Sequence, residues 1–97
     1  MSYEYKVFGK GCGSSELYFY VKSAMDGSSD YLVTDLNDSS LEVKYRTSES
    51  DWGADIELFI DCDEVFLNVH SGNAKKLLSY IKNFLSHKCL AVDFEEI

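Results

Sequence analysis

Cys62 and His70 are the pair in this chain best able to imitate a catalytic couple, a thiol followed eight residues later by an imidazole. A thiol becomes a strong nucleophile when a base within hydrogen-bond reach takes its proton. The spacing defeats that chemistry. Val65-Phe66-Leu67-Asn68-Val69 reads as a strand, with Cys62 in the turn before it and His70 at its far end. At about 3.3 Å per residue the two groups lie more than about 20 Å apart. Asp61 and Asp63 could act as acid and base or hold a divalent cation, but the segment lacks the glycine and closing glutamate of a calcium loop, and solvated turn acids account for them better. Gly9-Lys10-Gly11-Cys12-Gly13-Ser14-Ser15 has the glycines of an anion cradle without the order of a phosphate-binding loop, so it is expected to be a flexible hairpin connection.

Cys12, Cys62 and Cys89 are odd in number and widely spaced, which is not a disulfide framework. Zinc would need these thiols and His70 or His87 to converge from four distant segments, with no close-spaced ligand pair to seed the site. Reduced thiols and no bound metal or cofactor are therefore expected, and no residue is assigned a catalytic role.

Charge is more informative. Asp26, Asp30, Asp35, Asp38, Glu42, Glu49, Asp51, Asp55, Glu57, Asp61, Asp63 and Glu64 face only Lys44 and Arg46 between positions 26 and 64, a local balance of −10 in a chain whose net charge is −8. Localised charge of one sign makes a directed field that steers a basic partner. The chain has 97 residues, 45% of them hydrophobic and 14% aromatic, so it is too apolar for a disordered acidic tail and long enough for one modest core. A secretory leader, a membrane span and a basic cluster for lipid or nucleic acid are all missing from the pattern, and a cytoplasmic protein with a basic protein partner is expected.

The elements that must position these charges follow from periodicity. Leu41–Arg46, Ile56–Ile60 and Val65–Val69 alternate apolar and polar residues, as half-buried strands do. Closing a hairpin at Asp61-Cys62-Asp63-Glu64 sets Ile60 opposite Val65, Leu58 opposite Leu67 and Ile56 opposite Val69, with Phe59 opposite Phe66 on the other face. The turn lacks glycine, which leaves its class open. One hairpin earlier, matching character places Tyr45 opposite Ile56, Val43 opposite Leu58 and Leu41 opposite Ile60. Arg46 then meets Asp55 and Lys44 meets Glu57, so both bases would be occupied and the loop and turn acids would have no basic residue nearby. Ala74, Leu77, Leu78, Ile81, Phe84 and Leu85 form the apolar stripe of a helix over Ala74–His87. Leu90, Val92 and Phe94 mark a last strand. Tyr3–Phe8 is expected to be a strand. Leu17–Lys22 is favoured as a strand, although Leu17, Val21, Ala24 and Met25 also fit a helix ending at Gly27. Asp30–Leu36 is expected to be a short helix. The expected fold is one α+β domain over residues 1–97, a mainly antiparallel sheet with one long helix on one face.

From Ile56 through Val69, the following helix and the closing Ala91-Val92-Asp93-Phe94-Glu95-Glu96-Ile97, the chain resembles the small acidic immunity proteins of contact-dependent growth inhibition and related bacterial polymorphic toxin systems. The likeness rests on size, charge and layout over the C-terminal half. It implies tight inhibition of a cognate toxin domain, often a nuclease with a basic substrate groove, in which loop carboxylates occupy phosphate positions. The expected partner-binding residues are Glu49, Asp51 and Trp52 in the loop after Leu41–Arg46, and Asp61, Asp63 and Glu64 in the turn. Trp52 is read either as an interface anchor or as a satellite of the core. A phage-encoded nucleic-acid mimic acting on a defence nuclease, and a small enzyme or ligand-binding domain, are the competing classes. The oligomeric state is not legible.

Overall fold

A computed structural model of the protein describes residues 3–46, 55–70 and 74–97. The elements run β1 (Tyr3–Gly9), α1 (Ser14–Asp26), β2 (Tyr31–Asn37), β3 (Ser40–Tyr45), β4 (Ile56–Asp61), β5 (Glu64–Val69), α2 (Ala74–Ser86) and β6 (Val92–Glu96). The strands form one sheet in the order β2-β3-β4-β5-β1-β6, and every neighbouring pair is antiparallel. It follows that β1 and β2 run parallel to each other, as do β5 and β6. Each helix is the crossover between one of these parallel pairs.

Alternation puts one row of every strand under the helices. Tyr5, Val7, Leu41, Val43, Ile56, Leu58, Val65, Leu67 and Val69 are buried in one cluster with Leu17, Val21, Ala24 and Met25 of α1 and Leu77, Ile81 and Leu85 of α2. The two helices also touch. The Tyr80 hydroxyl of α2 donates to the Ala24 carbonyl of α1 at 2.7 Å, and its ring lies 6.0 Å from that of Tyr31 on β2. An antiparallel α+β sheet covered on one face is therefore the observed architecture, with two helices sharing the face that one was expected to cover.

The N-terminal third departs from its expected elements. Leu17–Lys22 belongs to helix α1 and not to a strand. Leu17, Tyr18, Val21, Ala24 and Met25 recur at helical spacing and bury on the sheet, so packing overrides the strand preference of the Tyr18-Phe19-Tyr20-Val21 run. The helix stops at Gly27, whose N–H donates to the Ser23 carbonyl at 2.9 Å. The Gly9–Ser15 segment consequently joins a strand to a helix and not two strands, with Gly11 at φ +74°. Asp30–Leu36 is not a helix but most of β2, paired along β3 with Val33 opposite Val43. Its inward residues Tyr31 and Val33 had the strand period all along; the helical spacing of Leu32, Asp35 and Leu36 is coincidental.

The β4–β5 register agrees with the expectation at every pair. The β3–β4 register does not. Leu41 pairs with Leu58 and Val43 with Ile56, a slip of two residues from the expected alignment. Such a slip leaves every side chain on its expected face, so polarity matching cannot detect it. Asp55 decides it instead. Only 3% exposed, it donates its N–H to the Val43 carbonyl at 3.0 Å and accepts the Tyr45 N–H on Oδ2 at 3.0 Å. Its own carbonyl accepts the His70 N–H of the neighbouring chain segment at 2.8 Å. The expected ladder pairs Arg46 with Asp55 and Lys44 with Glu57 are therefore absent. Glu42 stands opposite Glu57.

Candidate protein-binding face

Period-two geometry turns the remaining half of each strand outward, away from both helices. The registers align these residues in rows. One row runs from Glu95 of β6 through Lys6 of β1, Phe66 of β5 and Phe59 of β4 to Ser40 of β3. The next runs Glu4, Asn68, Glu57, Glu42 and Thr34. Towards the β4–β5 turn, Asp61 and Glu64 close the ladder. Phe59 and Phe66 are stacked, their ring centroids 5.4 Å apart and their planes 23° from parallel. Both are only half-buried. The face thus has an aromatic centre with carboxylates on two sides.

The cations on this face are few. Lys6 ion-pairs with Glu64 at 2.6 Å and lies 5.0 Å from the Phe8 ring centroid. His70 Nε2 lies 3.4 Å from Glu57 Oε1. Lys44 makes contacts of its own. Glu4, Glu42, Asp61 and Glu95 enter no ion pair with a described residue. Glu42 opposite Glu57 is a like-charge pair on adjacent strands, an arrangement that weakens a sheet.

The expected binding residues distribute as follows. Asp61 and Glu64 share the outward face with Phe59 and Phe66, and Asp63 is exposed in the turn beside them. Glu64 has Lys6 against it, contrary to the expectation that the turn acids lack a basic neighbour. Glu49, Asp51 and Trp52 lie outside the described residues. Sequence reasoning missed Glu4, Glu42 and Glu57 as members of the face. Their outward positions are legible from the alternation, but the expected register gives Glu57 to Lys44, where the observed one sets it opposite Glu42.

The turn itself has φ +51° at Cys62 and +61° at Asp63, the pair of left-handed residues that defines a type I′ hairpin turn. Cys62 Sγ sits 3.6 Å from Asp61 Oδ1, to which the thiol donates. The charge of Asp61 and this hydrogen bond raise the thiol pKa, with smaller contributions from desolvation, Glu64 and Asp63. The thiol is thus more firmly protonated than an ordinary cysteine, the reverse of what a nucleophile needs. Among the described residues no cluster of His, Cys, Asp and Glu has the geometry to hold a metal ion, and no helix is long and apolar enough to cross a membrane. Compared with known proteins, the chain matches no family model, no curated protein and no solved structure.

Proposed function

We propose that this protein is a non-catalytic inhibitor that binds a basic protein through the outward face of its sheet, and that the partner is a toxin domain neutralised in the manner of an immunity protein. The observation that carries this reading is the stacked Phe59–Phe66 pair set among Glu4, Glu42, Glu57, Asp61 and Glu95. Aromatic anchors at the centre of a charged rim are the arrangement in which protein interfaces concentrate affinity and orientation. The like-charge pair Glu42–Glu57 supports the same reading, because a cation from the partner would relieve a repulsion that the fold alone does not need. A toxin whose groove binds nucleic-acid phosphates offers such cations.

The test is affinity purification of the tagged protein from its native host at low salt, followed by identification of what co-purifies. The expected partner is a basic protein released by added salt, toxic when expressed alone and harmless when co-expressed with this chain. Recovery of a partner that is acidic, or whose toxicity persists on co-expression, would refute the proposal.

A further inference from the structure

On the helix side of the sheet, α1 and the β2–β3 hairpin enclose a cleft of about 420 Å³. Its walls include the Phe19 ring and the Leu36 side chain, 61% and 55% exposed, and its acids are Asp35 and Asp38. Lys22 is committed within the cleft, its Nζ 2.9 Å from Asp35 Oδ1 and 3.0 Å from Oδ2. Asp38 forms no ion pair with a described residue, so the residues lining the cleft carry a net negative charge. The Tyr18 side chain also lines it. Tyr18 is 7% exposed, and its hydroxyl has no hydrogen-bond partner among the described residues. A buried hydroxyl without a partner loses its hydration with nothing in return, and a folded protein tolerates this where a ligand completes the bond.

We propose that this cleft is a second binding site, which takes a guanidinium side chain: an arginine of a protein partner. The apolar walls suit the arginine stem, the Phe19 ring offers a face on which a planar cation stacks, and Asp38 supplies the counter-charge. A guanidinium N–H entering beside Tyr18 donates to the phenolic oxygen and supplies the missing partner. Burial, followed by the charges of Asp35 and Asp38, raises the Tyr18 pKa, so the phenol remains neutral and able to accept. The committed Lys22–Asp35 pair is what makes the site selective. Without it Lys22 would compete as an internal cation; with it the acid left without an ion pair among the described residues is Asp38, at the hairpin turn.

The cleft lies on the face opposite Phe59 and Phe66, so its occupancy does not depend on the proposed function of the sheet face. The probe is N-acetyl-arginine-N-methylamide, followed by amide chemical shifts of the whole protein. The citrulline analogue, equal in shape but uncharged, serves as control. Saturable shifts are expected at Tyr18, Phe19, Leu36 and Asp38, with the citrulline compound binding at least about fivefold more weakly. Asp38→Asn is expected to weaken arginine binding about fivefold, and Tyr18→Phe about threefold. Equal shifts from the two probes would overturn the proposal. So would shifts centred elsewhere, or unchanged affinity in a folded Asp38→Asn protein. Loss of sheet-face binding to a partner leaves this titration unaffected, which separates the two failures.

Discussion

Among the described residues, three other than glycine occupy the left-handed region: Cys62, Asp63 and Cys89. The first two make the β4–β5 turn. Cys89 ends α2, where its N–H donates to the Ser86 carbonyl and the Leu90 N–H donates to the Leu85 carbonyl, both at 3.0 Å, the double bond of a Schellman cap. A Cβ at positive φ is unfavourable, so Asp63→Gly and Cys89→Gly are each expected to raise stability by about 1 kcal/mol, measured by urea denaturation. These turns were only half legible. The hairpin position followed from the flanking alternation, but its class could not be read because neither central residue is Gly or Asn. Cys62 yields a second prediction. Its raised pKa means that the thiolate forms only at higher pH than for an ordinary cysteine. Alkylation by iodoacetamide, resolved by mass spectrometry, should therefore show a pH profile displaced upward at Cys62. Asp61→Asn should move that profile down and speed the reaction at neutral pH, since it removes the largest contribution.

At the scale of elements, β1, β4, β5, α2 and their order along the chain were legible because each shows one period cleanly. Helix α1 was not, since its apolar residues are mostly aromatic or β-branched and satisfy both periods over short windows. Its identity is settled by the tertiary contacts of Val21, Ala24 and Met25, which a sequence does not display. The β3–β4 register was hidden for a different reason: slips of two preserve side-chain faces, and the lock is a buried aspartate that composition assigns to the surface. Asp55→Ala should cost about 2–3 kcal/mol, because it leaves the Tyr45 N–H without its carboxylate partner. Amide hydrogen exchange would locate the loss at Tyr45. If the Tyr45 amide exchanges as slowly in the variant as in the parent, the register depends on something other than this side chain.

For the molecule as a whole, the asymmetry of charge was legible as a number but not as a shape. Counting placed the acids between positions 26 and 64; only the sheet order shows that Glu4 and Glu95, from the two ends of the chain, join Glu42 and Glu57 on one face. The folded molecule also carries a pH signature. Burial is the main cause that raises the pKa values of Tyr5, Tyr18, Tyr31 and Tyr45 above 10.0. These phenols are neutral when protonated, so above pH 10 the unfolded chain loses protons that the folded chain keeps. Stability should accordingly fall as pH rises through the unfolded value near 10, until the raised folded values are passed, and thermal melts across that range would record it.

In the proposed complex a basic partner docks on the Phe59–Phe66 face, where charge governs encounter and the aromatic pair governs residence. Stopped-flow binding to the identified partner, at several ionic strengths, measures both with the parent protein, Glu42→Gln/Glu57→Gln and Phe66→Ala. The parent should associate rapidly and lose rate steeply as salt rises. The double glutamine variant should associate more slowly with a shallower salt dependence, and its own stability should be unchanged or higher because the like-charge pair is gone. Phe66→Ala should leave association near the parental rate and accelerate dissociation about thirtyfold, a loss of about 2 kcal/mol. Parental rates in both folded variants, at every salt concentration, would overturn docking on this face and place the partner on another surface.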